Sequence, residues 1–164
     1  MPLDAARFRH TMSQLPTGVA IVTARVSRGR ALGITASSLT SLSLEPPMLL
    51  VCIGRDAEIH DALLEAERFG VNVLAAGQQD LARRFADRER QRLEEREYAL
   101  SPGGVPVLAG ALARIECRRR SRLEGGDHTI VTGVLEWSET AEGRPLCYFR
   151  GGYAELGGAA GGGG

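Results

Sequence analysis

A chain of 164 residues, 43% hydrophobic and 24% charged, is long enough to bury a core without disulfides or metal, and its length points to one domain. Its 20 Lys and Arg balance 20 Asp and Glu, so no global field exists to draw in nucleic acid or anionic lipid. Cys52, Cys117 and Cys147 are odd in number and far apart, which argues against a disulfide framework or a zinc knuckle and for small buried hydrophobes in a reducing compartment.

The opening MPLDAARFRHTM lacks the apolar core of a signal peptide, and no run approaches the ~18 apolar residues of a membrane span. A cytoplasmic protein is therefore expected. Residues 4–15 read as a helix capped by Asp4, with Phe8, Met12 and Leu15 on one face and Pro16 ending it. His10 lies off that stripe and reads as solvated. Residues 18–26 (GVAIVTARV) are rich in β-branched side chains and read as a strand. Ser27-Arg28-Gly29-Arg30 reads as a hairpin turn, and residues 31–38 return antiparallel.

The stretch 32–53 (LGITASSLTSLSLEPPMLLVCI) carries most of the signal. Ser37, Ser38, Thr40, Ser41 and Ser43 crowd a polar turn between two apolar segments, Pro46 and Pro47 break the ladder, and Met48–Ile53 reads as a buried strand. Hydroxyls and main-chain N–H groups gathered between core strands suit an anion such as a phosphate. The same composition also describes a turn whose hydroxyls satisfy their own backbone.

After Gly54 and Arg55, Asp56 is placed to cap a helix over residues 57–67, with Ile59, Leu63 and Ala66 inward and His60 exposed. Residues 68–74 (RFGVNVL) read as a strand with Asn72 at its centre. Asn is poor in strands, so its amide either bonds neighbouring backbone or faces a ligand. Residues 78–86 form a second short helix through Leu81 and Phe85. The run DRERQRLEEREY reads as a solvated surface segment, and SPGGVP at 101–106 as a loop. Residues 111–123 alternate as a strand around Leu112, Ile115 and Cys117, with Arg118, Arg119 and Arg120 at a solvated end. Gly125-Gly126-Asp127-His128 joins it to a strand over 129–139 that carries Trp137. Two glycines there permit close approach of a ligand, while a plain hairpin turn that includes a histidine is the simpler account. A last strand, 145–150, leads to Gly151, Gly152 and Tyr153. The final GGAAGGGG (157–164) reads as a disordered tail.

Six or seven strands joined by tight turns, with two or three short helices inserted, predict a mainly β protein: an antiparallel barrel. No Gly-x-Gly-x-x-Gly follows a strand, and no P-loop, zinc spacing, Ser-His-Asp pattern or internal repeat is present.

In order, PTGVAIVTA, GITASSLTSLSLEPPMLLVCI, FGVNVL, LARRFA, GDHTIVTGVLEW and PLCYFRGGY resemble the flavin reductase-like family, the small NAD(P)H:flavin reductase components of two-component flavin-dependent monooxygenases. The resemblance runs from about Phe8 to Leu156, within a domain of residues 1–156. It implies a split β-barrel of the FMN-binding, Greek-key-like type, assembled as a homodimer with a flavin near each subunit interface. It implies that Thr35, Ala36, Ser37 and Ser38 line the flavin, with Ser41 toward the phosphate, and that Cys52 and Ile53 lie beside the isoalloxazine or ribityl chain. Asn72 would offer its amide to the flavin. Arg84, Phe85 and Ala86 would lie close to the phosphate or adenylate. Gly126, Asp127 and His128 match the nicotinamide-side motif, and Tyr153 an aromatic near the ring. Where many relatives carry Ser or Thr, Arg55 is a substitute phosphate partner, while Asp56 and Glu58 would repel one.

The implied reaction is hydride transfer from NADH or NADPH to FMN or FAD, the choice of flavin staying open with FMN slightly ahead, and with His128 holding the nicotinamide. Reduced flavin would then diffuse to a separate monooxygenase. Two other readings share the barrel: a protein that retains FMN and reduces another acceptor, and a non-catalytic flavin-binding module. A nucleic-acid-binding barrel fits poorly with an aromatic content of 5%.

Overall fold

The computed structural model describes residues 3–26 and 29–157. Part of the 27–30 turn and nearly all of the 157–164 tail lie outside the described residues. The elements are α1 (Ala5–Met12), β1 (Thr17–Gly18), β2 (Ala20–Arg25), β3 (Ala31–Ala36), β4 (Thr40–Leu44), β5 (Pro47–Gly54), α2 (Ile59–Glu65), β6 (Arg68–Val73), α3 (Gln79–Ala86), β7 (Arg92–Leu93), β8 (Tyr98–Leu100), β9 (Pro106–Leu108), β10 (Ala113–Gly125), β11 (His128–Thr140), β12 (Leu146–Phe149) and β13 (Gly152–Glu155). Eight strands form one sheet in the order β4-β5-β11-β10-β6-β2-β3-β7; β1-β12-β13 and β8-β9 make smaller sheets. Each of these pairings is antiparallel.

The large sheet has to roll up. Five strands separate β3 from β4 in its order, which in a flat sheet is roughly 29 Å at ~4.8 Å per step. Yet only residues 37–39 connect them, a reach of roughly 15 Å from Ala36 to Thr40 at ~3.8 Å per Cα step. Curling brings Val22, Val51, Val71 and Val131, from four different strands, into one buried cluster with Leu49, Ile53, Phe69 and Cys117. The barrel is split, since β4 and β3 do not pair. Helix α2 closes one end by adding Ile59 and Leu63 to the same cluster. On the outer side of β2 and β3, α3 seats Ala82 and Phe85 against Ile21 and Ala31.

Several sequence expectations change. Asp4 does cap α1, accepting from the Arg7 N–H at 2.7 Å, but Phe8, Met12 and Leu15 are all exposed rather than packed inward. The serine stretch is not one polar turn: residues 40–44 pair with β5 as an edge strand, and the turn falls at Glu45-Pro46. Asp56 does not cap α2, whose N-cap is Glu58 without a side-chain bond; Asp56 instead pairs with Arg88 at 2.6 Å. His60 is buried, with Nε2 2.9 Å from the Thr129 hydroxyl and Nδ1 2.8 Å from Asp61. The charged run after α3 is not featureless, because β7 within it pairs with β3 and extends the sheet. Among the described residues, no helix is long and apolar enough to cross a membrane.

Candidate functional site

The β10–β11 hairpin turns through Gly126 and Asp127, with Gly125 opposite His128. Gly126 takes φ +70°, the glycine-first pattern of a type II′ turn. The Arg55 N–H donates to the Asp127 carbonyl at 3.0 Å, and His128 lies opposite Gly54 of β5, so the turn is fixed against the end of that strand. His128 Nδ1 is 2.7 Å from Asp127 Oδ1. That hydrogen bond holds the Asp127 carboxyl below the usual carboxylate range. Donation from Nδ1 to the carboxylate selects the tautomer in which Nε2 is the acceptor nitrogen.

His128 faces a cleft of about 520 Å³ whose other wall is Thr35 of β3, Ala86 at the end of α3, and Arg88 and Gln91 just beyond. The Thr35 hydroxyl donates to the Ala82 carbonyl at 2.6 Å, which docks α3 against β3 and sets that wall. Thr35 and Ala86 also line a second hollow of about 250 Å³ with Ser37, Tyr148 and Tyr153. Ser37 and Tyr148 continue into a third, of about 460 Å³, under α1. One trough therefore runs from the His128 hairpin past Thr35 to the tyrosines. Arg150 and Gly151, both at positive φ, make a type I′ turn that places Tyr148 directly opposite Tyr153. Their rings meet edge-on at 5.5 Å, and the Arg83 guanidinium lies 5.5 Å from the Tyr153 ring centre. Burial, helped by the neighbouring Tyr148, pushes the Tyr153 phenol up.

Of the residues singled out from sequence, Thr35, Ser37, Ala86, Gly126, Asp127, His128 and Tyr153 line this trough. The others lie outside these three clefts. Ala36 and Ile53 are buried in the barrel core, and Phe85 in the cluster under α3. Ser41 is on the exposed edge strand β4. Ser38 is committed to the main chain of Cys52, donating to its carbonyl at 2.9 Å and accepting from its N–H at 3.1 Å. Arg84 is held by Glu97 and by the Arg92 carbonyl at 2.7 Å. Asn72 is fully buried: its Nδ2 donates to the Ile21 carbonyl at 3.1 Å, and its Oδ1 accepts from the Leu108 N–H at 2.8 Å. Of the two roles left open for its amide, the structure shows backbone bonding, and Asn72 does not line the trough.

Arg88, Gln91 and Tyr148 escaped the sequence reading. Tyr148 had a local signal, an aromatic across a tight turn from Tyr153. Arg88 and Gln91 had none, being buried in a charge-dense run. Asp56 and Glu58, expected to repel a phosphate, are paired with Arg88 at 2.6 Å and Arg92 at 3.8 Å.

A polar, nucleotide-sized ligand fits this trough. Gln91, which lines the first cleft, and Thr17, which lines the third, each bury a side-chain oxygen, Oε1 and Oγ1, without a hydrogen-bond partner among the described residues. A split antiparallel barrel with a histidine hairpin facing a long trough, charged and polar at the hairpin end and largely apolar toward the tyrosines, has the form of a nucleotide-binding barrel protein. The chain belongs to the flavin reductase like domain family, whose model matches residues 12–157. It is 40% identical over 156 residues to an NADH-dependent FAD reductase of Streptomyces globisporus, covering 92% of this chain and 85% of the relative. It is 39% identical over 155 residues to the reductase subunit HsaB of a flavin-dependent monooxygenase of Rhodococcus jostii, covering 94% and 79%. Its fold superposes at a TM-score of 0.89 on the NADH:FAD oxidoreductase of Streptomyces globisporus C-1027 solved with NAD and FAD fragments, at 36% identity over 96% of this chain and 95% of that one.

Proposed function

We propose that the protein is an NAD(P)H:flavin oxidoreductase that reduces FMN or FAD and supplies reduced flavin to a separate monooxygenase. The observation that carries this reading is the single trough joining the His128 hairpin to the Thr35–Ser37 wall, because it sets a nicotinamide-side group and a flavin-side surface on one ligand path. When bound, flavin would supply the redox chemistry, with the dinucleotide as the source of reducing equivalents. The protein's task is placement. His128, oriented by Asp127, offers Nε2 to a carboxamide N–H of the nicotinamide. Tyr148 and Tyr153 shield the far end of the trough from water, and Arg55 and Arg88 supply positive charge for phosphates. No acid–base triad is needed for such a transfer.

The active form in this reading is a homodimer. It is supported by Phe8 and Met12 on α1, Leu15 just after it, and Leu42 and Leu44 on edge strand β4, apolar side chains left exposed in one protomer. A cytoplasmic setting is supported by three free cysteines. The test is steady-state oxidation of NADH and of NADPH with riboflavin, FMN and FAD in turn. Flavin-dependent turnover is expected, and its absence with every pair would reject the reading. A flavin that stays bound through gel filtration would favour the retained-flavin alternative.

A further inference from the structure

Gln91 sits where the charged run after α3 becomes β7, and it is 1% exposed. Its main-chain carbonyl accepts from the Gly33 N–H at 2.8 Å, which pins it against β3. Gln91 lines the cleft that holds His128, Arg55 and Arg88, and its Oε1 is buried with no hydrogen-bond partner among the described residues. An apolar side chain would fill the same space without stranding an acceptor, so the amide disfavours the ligand-free fold. Its neighbours do not relieve it. Arg88 is joined to Asp56 at 2.6 Å, and Arg55 to Glu124 at 3.4 Å. Those cations attract the anionic part of a ligand but do not distinguish one donor group from another. A dehydrated acceptor on a pinned stretch of backbone does, since a ligand lacking the matching N–H or O–H leaves it unpaired.

We propose that the Gln91 carboxamide is a specificity-determining group of the cleft, its Oε1 accepting a hydrogen bond from an amide, imide or hydroxyl donor of the bound nucleotide. The inference rests on the flavin reductase reading and goes beyond it by assigning recognition to a residue outside the hairpin and the serine stretch. Flavin and pyridine dinucleotide both carry such donors, and two measurements separate them.

The experiment compares wild type with Gln91→Leu, or with Gln91→Met where the branched side chain does not pack. The melting temperature of the ligand-free protein, the Kd for FMN and FAD by fluorescence titration, and the KM for NADH and NADPH at saturating flavin are measured. The expected result is an unchanged or raised melting temperature with one of the two constants weakened about tenfold, the loss of one hydrogen bond. A weakened flavin Kd assigns the donor to the flavin; a raised KM alone assigns it to the dinucleotide. A lowered melting temperature with both constants intact makes Gln91 a structural residue and overturns the proposal. So do three unchanged values, which mean that water satisfies the oxygen. Flavin-dependent NADH oxidation by the wild type in the same assay tests the functional reading separately, so that with turnover present, unchanged constants in the variant overturn the Gln91 assignment alone.

Discussion

The Ser38 hydroxyl stands in for a missing strand partner of Cys52, donating to its carbonyl at 2.9 Å and accepting from its N–H at 3.1 Å. The ladder between β4 and β5 reaches only to Leu50, and one side chain carries the contact two residues further, across the seam of the split barrel. Ser38→Ala removes both bonds at an exposed position, so a loss of about 1 kcal/mol in urea unfolding is expected. Because Ser37 lines the trough next door, flavin affinity should weaken alongside. Stability and affinity both unchanged would show that the seam holds without this residue.

Asn72→Ala should act on the fold and not on the ligand. It strands the Leu108 N–H and the Ile21 carbonyl, both buried, and leaves a cavity. The expected cost is about 3 kcal/mol in equilibrium unfolding. The flavin Kd of the folded fraction should equal that of wild type; a clear rise would place the amide at the ligand after all.

His128→Ala tests the hairpin. The ring is half-exposed and its removal unburies nothing, so the melting temperature should hold. Loss of one hydrogen bond to the nicotinamide should raise the KM for NADH about tenfold with flavin Kd intact. An equal loss of flavin binding would reassign the residue.

Acid titration tests the brace under α3. The Arg84 hydrogen bond is the main reason that the Glu97 carboxyl lies below its ordinary value of 4.5. A carboxyl depressed on folding stabilises the native state above its unfolded value, and that contribution is lost as pH falls through the folded value. Glu97→Gln should thus cost about 1 kcal/mol at neutral pH, less under salt, and the wild-type and variant stabilities should converge as pH drops below 4.5. Parallel curves down to about pH 3 would mean that the pair contributes nothing.

The longer strands β2, β3, β5, β6, β10, β11 and β12 and the two helices after β5 were legible because their signals are local. The continuous apolar run 48–53 needs no partner to be read as a strand, while the structure shows which of its faces is inward, with Leu49, Val51 and Ile53 buried. Gly126 and Asp127 announced a turn for the same reason. The family motifs added the histidine hairpin and the wall at Thr35 and Ser37.

The fate of polar side chains was not legible, because it depends on partners far along the chain. Asn72 meets Leu108, Ser38 meets Cys52, and His60 meets Thr129, pairs separated by 36, 14 and 69 residues. Nothing beside Asn72 says whether its amide faces backbone or ligand, and nothing beside Gln91 says that a charged run buries an acceptor. The exposed stripe on α1 is the converse case: periodicity marks a face as apolar but not what covers it. The sequence by itself determined where the longer strands, the hairpin turns and the helices lie, since a side chain's period is a property of its neighbours, but not the short strands β4 and β7, which exist only as partners of β5 and β3. Only the closing of the sheet decided which hydroxyls and amides are spent holding the barrel and which are left facing the trough, since hydrogen bonds between distant segments exist only once the chain has brought them together.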